Sequence, residues 1–173
     1  MTVVIVMLFY LVGCEIISNF AAKEKTVLMH ITNEEIERRV CRAAELRDRC
    51  FNCSQAVFAA CADLYGIDEP LALRLSASFG GGIGQMRQTC GAACGMFLLA
   101  GLENGNVEPG QPQAKQINYN LVQHLAADFS EHNGGIICAD LLGLGGNTPP
   151  RQKRPCKEMI KDAVRQYLNE IKD

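Results

Sequence analysis

The sequence lacks the signatures of several common classes of protein. Seventeen lysines and arginines face 19 acidic residues, for a formal net charge of -2, and no basic stripe with interleaved aromatic residues occurs. Nucleic acid is therefore not expected as a partner. The absence of a Cys-x-x-Cys-His motif argues against covalently attached haem of the c type. The 173 residues suffice for one domain with a substantial buried core.

No apolar run is long enough to span a membrane. The run at residues 3–12 is far shorter than the roughly 20 residues that a spanning helix needs. The following Gly-Cys resembles the end of a lipobox, but no Lys or Arg precedes the run, as a secretion signal requires. We therefore predict that residues 1–28 are a dispensable extension and that translation starts at Met29, which gives a cytoplasmic domain of residues 29–173. The alternative is a lipoprotein-like signal that anchors the protein through Cys14.

Helical periodicity dominates the rest of the chain, since no convincing run of alternating apolar residues indicates a strand. Four polar residues each precede an apolar stripe of helical spacing and are predicted N-caps: Thr32, Asn52, Asp68 and Thr89. Pro155 suits the first position of the last helix. The sequence therefore predicts an all-α, single-domain bundle of about six helices.

Three segments complete the predicted architecture. Leu71, Leu75 and Phe79 recur every four residues and are expected to form the apolar stripe of the third helix. A glycine-rich loop follows at residues 80–84. A short helical turn is predicted at residues 136–142.

The nine cysteines are the most informative part of the composition. Their odd number and the length of the chain argue against a disulfide scaffold and favour reduced thiols that act as ligands or redox groups. Four of them lie in the first turn of a predicted helix: Cys53, Cys90, Cys138 and Cys156. Unpaired N–H groups and the helix dipole favour the thiolate there, which is the form that binds metals and attacks electrophiles. Because each also lies on an apolar stripe, the four side chains are expected to converge.

Other roles are predicted for the remaining cysteines. Cys41 and Cys61 lie in the middle of helices and are expected to pack in the core. Cys94 lies one turn after the first cysteine of its helix and is a candidate fifth ligand or redox neighbour. Cys50 and Cys53 form a Cys-x-x-Cys pair, but the strands of a thioredoxin-like setting are missing.

The glycine-rich loop at residues 80–84 lacks the Gly-Lys-Ser/Thr ending of a phosphate-binding loop. Two interpretations remain open. The glycines allow the backbone to approach a metal centre closely and to direct N–H groups at its sulfurs, or they form a flexible connector. The histidines follow no ligand spacing and are expected at the surface or in the core: His30, His124 and His132.

These motifs resemble those of the redox-active proteins named for the pattern C-GCAxxG-C-C. Residues 52–57, Asn-Cys-Ser-Gln-Ala-Val, are similar to the first cysteine motif of that family. Residues 79–82, Phe-Gly-Gly-Gly, and residues 90–95, Cys-Gly-Ala-Ala-Cys-Gly, are similar to its central motif. Cys138 and Cys156, each with the residues that follow, are similar to the last two motifs.

The resemblance extends from about Ile36 to the end of the chain. It implies a helical domain that binds a metal or an iron–sulfur cluster, or that acts in redox chemistry. It implies four cysteine ligands: Cys53, Cys90, Cys138 and Cys156. It also implies five glycines that support the cofactor: Gly80, Gly81, Gly82, Gly91 and Gly95. Cys50 stands where the family usually has glycine, and Cys94 falls at a variable position, so a disulfide relay stays open.

Three functions are consistent with these observations. The first is electron transfer or metal binding without catalysis, with an iron–sulfur cluster on the four cysteines and an unidentified redox protein as partner. All-thiolate coordination suits an iron–sulfur cluster or zinc, and the extra cysteines and the glycine-rich loop favour iron. The second is a thiol–disulfide oxidoreductase that uses Cys50 with Cys53 or Cys90 with Cys94. The third is a structural zinc module.

Overall fold

The computed structural model describes residues 31–144 and 155–172. The dispensable extension, the start at Met29, the anchor at Cys14 and the position of His30 lie outside the described residues and stay predictions. Within the described ranges, no helix combines the length and the apolar character that a membrane span requires.

Seven α-helices and no β-strand make up the described part of the chain, which confirms the prediction of an all-α fold. The helices are α1 (Asn33–Asp48), α2 (Cys53–Cys61), α3 (Glu69–Ser76), α4 (Gly91–Asn104), α5 (Pro112–Asn133), α6 (Cys138–Leu141) and α7 (Cys156–Glu170). Two short 3-10 helices, Ala62–Tyr65 and Ala77–Phe79, follow α2 and α3. The predicted helical turn corresponds to α6.

Side-chain caps begin the first three helices, as the sequence predicts. The Glu35 N–H donates to Thr32 Oγ1 at 3.1 Å at the start of α1. Asn52 and Gln55 form a reciprocal capping box at the start of α2, with distances of 3.0 and 3.1 Å. Asp68 accepts from the N–H three residues later at the start of α3. These caps satisfy backbone donors that a helix start otherwise leaves unpaired.

The two later helix starts differ from the prediction. Thr89 does not cap α4, because Cys90 itself is the N-cap residue and Thr89 instead forms an isolated antiparallel bridge with Ile137. Pro155 is the N-cap of α7 and not its first helical residue. Both differences shift a predicted boundary by one residue, and the cysteine that follows stays at the helix start.

Helix α2 lies at the centre of the bundle, where it contacts α1, α3, α4 and α7. Its residues from Ala56 to Cys61 are buried. Small residues allow α4 to pack closely: a Cβ at Gly95 would lie 2.9 Å from the Ser54 carbonyl oxygen and 2.9 Å from Val57 Cβ. The short distance between α2 and α4 therefore depends on a glycine.

The predicted apolar stripe of α3 is wrong. Leu71 and Leu75 are 40% and 50% exposed, whereas Ala72 and Ser76 are buried. The small side chains of the buried face bring α3 close to α2, and the Ser76 hydroxyl donates to the Ala72 carbonyl at 2.7 Å, so it needs no outside partner. Steric fit decides the orientation of this helix more than hydrophobicity does.

Candidate metal centre

The starts of α2, α4, α6 and α7 meet around one cavity of about 530 Å³. Four cysteines, one from each helix start, are among the residues that line it: Cys53, Cys90, Cys138 and Cys156. A helical side chain tilts toward the N-terminal end of its helix. Four helix starts that meet therefore direct four thiols into the same space, as the sequence analysis expects. Cys90 and Cys138 are buried, with exposures of 4% and 7%, and the other two are partly buried.

Backbone pairing fixes two of these cysteines relative to each other. Thr89 and Ile137 form the isolated antiparallel bridge, and the next residue in each segment is a cysteine of the cavity. The N–H groups of Cys90 and Cys138 donate to carbonyls of the opposite segment at 2.7 and 2.6 Å. The bridge therefore holds the starts of α4 and α6 side by side. Helical periodicity gives no signal for such a pairing, so the sequence does not predict it.

The glycine-rich loop packs directly against the cysteines. A Cβ at Gly82, whose φ is +74°, would lie 2.6 Å from Cys138 Cβ. A Cβ at Gly91 would lie 2.8 Å from the Phe79 carbonyl oxygen and 3.3 Å from Cys53 Cβ. The loop also carries internal backbone hydrogen bonds, such as the 3.1 Å bond from the Gln85 N–H to the Gly80 carbonyl. These contacts favour the close-approach interpretation over a flexible connector.

Three non-glycine residues in this loop or just after it have left-handed backbones. The φ angles of Ile83, Gln85 and Arg87 are +57°, +64° and +63°. Such conformations are rare for residues with a Cβ, above all for a β-branched residue, and cost of the order of 1–3 kcal/mol each. The fold therefore maintains an unfavourable backbone beside the four cysteines.

The five glycines implied by the resemblance occupy three kinds of position. Gly80, Gly81 and Gly91 line the cavity. Gly82 lies against Cys138, as described above. Gly95 does not line the cavity and belongs to the contact between α2 and α4. Their role toward a cofactor stays a prediction.

At two of the four cysteines, burial and neighbouring thiols oppose the effect that a helix start has on the pKa of a thiol. A hydrogen bond with the Cys156 thiol, together with burial, raises the pKa of Cys53 far above its usual range, although Arg47 acts in the opposite direction. Burial raises the pKa of Cys90 to about 11, against the N–H groups of Ala92 and Ala93, which favour the ionised sulfur. Desolvation and neighbouring thiols outweigh the effect of the helix start. These two thiols are therefore protonated at neutral pH.

The polar lining of the cavity is basic and amide-rich. Arg47, Asn52, Gln85 and Arg87 contribute to it, and none of the described lining residues is Asp or Glu. Neither arginine was predicted from the sequence as a residue of the site. The sequence offers one signal for Arg87, which is its position between the glycine-rich loop and the cysteine of the central motif.

Cys94 does not line the four-cysteine cavity. It lines a separate, apolar cavity of about 300 Å³ together with Phe79, Ile83 and Phe97. Its thiol lies 3.8 Å from the Thr89 carbonyl oxygen, and burial raises its pKa to about 11. The structure therefore does not bring Cys94 into the group as a fifth ligand.

Cys50 is exposed and does not line the cavity. Its φ of +68° explains why glycine suits this position: the Cys50 N–H donates to the Arg47 carbonyl at 3.1 Å, which is a helix ending that needs a left-handed residue. Cys61 is fully buried, as expected. Cys41 is exposed, so the prediction that it packs in the core is wrong, because the buried face of α1 is formed by its neighbour Val40 and by residues in register with it.

The other candidate ligands lie elsewhere. His124 is exposed and lies 3.1 Å from Glu170, and His132 is exposed near the end of α5. In the described chain, no three His, Cys, Asp or Glu side chains are positioned to hold a single metal ion. All cysteines of that part of the chain are free thiols.

Comparison with known proteins places the cysteine pattern in a family. The family described as "Putative redox-active protein (C_GCAxxG_C_C)" matches residues 51–170, a range that includes all four cavity cysteines. A protein of Archaeoglobus fulgidus, described as an uncharacterized protein, is 27% identical over 150 residues, which cover 81% of this chain and 97% of that protein. No solved structure shows significant similarity to the chain.

Proposed function

The chain belongs to the C_GCAxxG_C_C family of redox-active proteins, and on this premise we propose that it transfers electrons through an iron–sulfur cluster. The proposed ligands are the four cavity cysteines: Cys53, Cys90, Cys138 and Cys156. The observation that carries the proposal is that these residues, distant in the sequence, line one cavity at four helix starts. When bound, such a cluster supplies reversible electron uptake at a potential set by its protein environment.

The donors of the cavity suit a cluster. Sulfur is the ligand type that the lining provides, and soft thiolates select iron–sulfur clusters or zinc over hard cations. In the described chain, the N–H groups of Gly81 and Gly82 donate to no carbonyl or side-chain oxygen. Free N–H groups beside a sulfur-ligated centre can bond to its sulfurs and raise its potential.

Zinc and a cluster differ in the sulfur positions that they require. Zinc with bonds near 2.3 Å requires sulfurs roughly 4 Å apart around one point, whereas a cluster lies between its ligands and needs sulfurs about 6 Å apart or more. The choice of a cluster over zinc rests on the extra cysteines of the chain and on the glycine-rich loop beside the cavity.

The surrounding residues prepare the site for this role. The burial of Cys90 and Cys138 excludes water from two of the ligands, and the bridge between Thr89 and Ile137 fixes their relative positions. Arg47 and Arg87 supply positive charge that offsets the charge of four thiolates. The proposal places the protein in the cytoplasm, where thiols stay reduced, with another redox protein as its partner.

Chemical analysis of the protein tests the proposal directly. The full chain, purified without oxygen, should contain iron and acid-labile sulfide in equal amounts and little zinc. The variant C90S should lose the iron, because it removes one of four ligands from a buried site. The variant C61S is the matched control, since Cys61 is equally buried but does not line the cavity, and it should keep the iron.

Two results would contradict the proposal. One zinc per chain without sulfide would replace the cluster by a zinc module. Equal iron in C90S and in the wild-type protein would show that the cavity cysteines do not hold it.

One observation favours a second candidate, thiol–disulfide exchange. Hydrogen bonding with the Cys156 thiol raises the pKa of Cys53, so these two thiols are neighbours in the cavity and are candidates for a disulfide. The pairs suggested by the sequence do not meet in the cavity, because Cys50 and Cys94 do not line it. Mild oxidation of metal-free protein followed by peptide mapping should then link Cys53 to Cys156, and the variant C50S should leave that link unchanged.

A further inference from the structure

We propose that the cysteine cavity also binds a small oxyanion, on the side formed by Arg87, Gln85 and Gly81. All three residues line the cavity. None of them is a cysteine, so the anion site does not require a metal. An effect of the bound oxyanion on electron transfer rests on the proposed function, since the oxyanion would then lie beside the iron–sulfur cluster.

The charge of the cavity supports an anionic ligand. Arg87 is half-buried, and in the described chain its guanidinium group has no carboxylate within ion-pair distance and no hydrogen-bond acceptor. Two other arginines that are at least partly buried behave differently: Arg39 pairs with Asp63 at 2.6 Å, and Arg42 pairs with Glu69 at 3.4 Å. A half-buried guanidinium group without a protein partner is available to an incoming anion.

Neutral donors converge on the same side of the cavity. Within the described residues, the Gln85 side-chain amide has no hydrogen-bond partner, and the Gly81 N–H donates to no acceptor. Gly81 and Gln85 both have left-handed backbones, with φ angles of +65° and +64°.

The size and the donor type define the class of ligand. A cavity of about 530 Å³ falls within the range of roughly 300–1,000 Å³ typical of small-molecule sites. Guanidinium groups bind two oxygens of a carboxylate, sulfate or phosphate in parallel. Because the four thiols occupy the same cavity, the ligand must be a small oxyanion.

Sulfate is a suitable probe because it is redox-inert. Titration of the full chain with sulfate at constant ionic strength, followed by calorimetry, should give saturable binding. The variant R87Q should weaken it about tenfold or more, which is the effect expected from loss of one charge-assisted hydrogen bond. The variant R74Q is the matched control: Arg74 is exposed on α3 and does not line the cavity, so its removal should leave the affinity unchanged.

A second variant covers the case in which R87Q does not fold. Gln85 is exposed and has no side-chain partner in the described structure, so Q85A should fold and bind sulfate several-fold more weakly. The absence of saturable binding, or equal affinity in the wild-type protein and Q85A or R87Q, would overturn the proposal. The titration and the chemical analysis of the same purified protein separate the two hypotheses. Saturable sulfate binding by a protein that contains no iron and sulfide contradicts the proposed function alone, and a protein that contains a cluster but binds no sulfate, with or without its metal, contradicts the anion site alone.

Discussion

Replacing Gly82 by alanine should disturb the cysteine cavity through one added methyl group. The φ of Gly82 is +74°, and a left-handed conformation costs an L-residue about 1–2 kcal/mol. The new Cβ would also lie 2.6 Å from Cys138 Cβ, 2.9 Å from Arg87 Cα and 2.9 Å from the Gln88 nitrogen. Two of these neighbours are backbone atoms beside the bridge, so the methyl group must displace the loop or Cys138.

Gly66 provides the matched control. Its φ is +72°, but a Cβ there would meet no atom within 4 Å. The variant G66A therefore has the backbone cost alone, whereas G82A adds the cost of overpacking, typically about 1–3 kcal/mol. The difference between the two variants isolates the contact with the cysteine segment.

Urea unfolding of the metal-free variants, followed by circular dichroism, measures this difference. We expect G82A to be less stable than G66A by about 1–3 kcal/mol and to bind less metal after reconstitution, because Cys138 moves. G66A should bind as much metal as the wild-type protein. Equal stability of the two variants, with full metal content in G82A, would refute the reasoning.

Three further predictions concern helix packing and the thiols. On α4, G101A should raise the free energy of unfolding by about 0.5–1 kcal/mol, since its Cβ meets nothing within 4 Å. The variant G95A should lower the free energy of unfolding, because it separates α4 from α2. Urea midpoints check both variants, and equal midpoints would contradict the close packing of the two helices. The pKa values of Cys90 and Cys94, raised from 9.0 to about 11, make the folded metal-free protein hold these protons more tightly than the unfolded chain. The free energy of unfolding should be highest below pH 9 and should fall by the order of 2 kcal/mol per thiol between pH 9 and pH 11. The variant C94A should show a smaller fall. Urea unfolding measures this profile, and a profile without any fall would argue against the raised pKa values. Metal loading at neutral pH should release protons, because Cys53 and Cys90 are protonated beforehand. An indicator dye in weak buffer measures this release. Metal loading without a release of protons would contradict the protonated state of the thiols.

Local signals in the sequence predicted the helices and the position of the cysteines. A polar residue ahead of an apolar stripe marks a helix start through its own backbone neighbours, so Thr32, Asn52 and Asp68 were identified without any tertiary information. The placement of four cysteines at helix starts follows from local signals too, and a side chain there tilts toward the N-terminal end of its helix. Their convergence on one cavity also requires the four helix starts to pack together.

Features that depend on contacts between distant segments could not be predicted. Periodicity places Leu71 and Leu75 on one face of α3, but the small residues Ala72 and Ser76 decide which face packs against α2. The bridge between Thr89 and Ile137 joins two segments whose pairing leaves no periodic trace. The protonated state of the thiols depends on their mutual proximity and burial, which exist only in the folded chain.

The distribution of the four cysteines along the chain has a consequence for biosynthesis. Cys53, Cys90 and Cys138 leave the ribosome before Cys156, which begins the last helix. Under the proposed function, a nascent chain carries three of the four ligands and cannot complete the centre until α7 has been released and has packed against α1, α2 and α4. Insertion of the cofactor is therefore a post-translational event, and a prematurely terminated chain that lacks α7 is excluded from it.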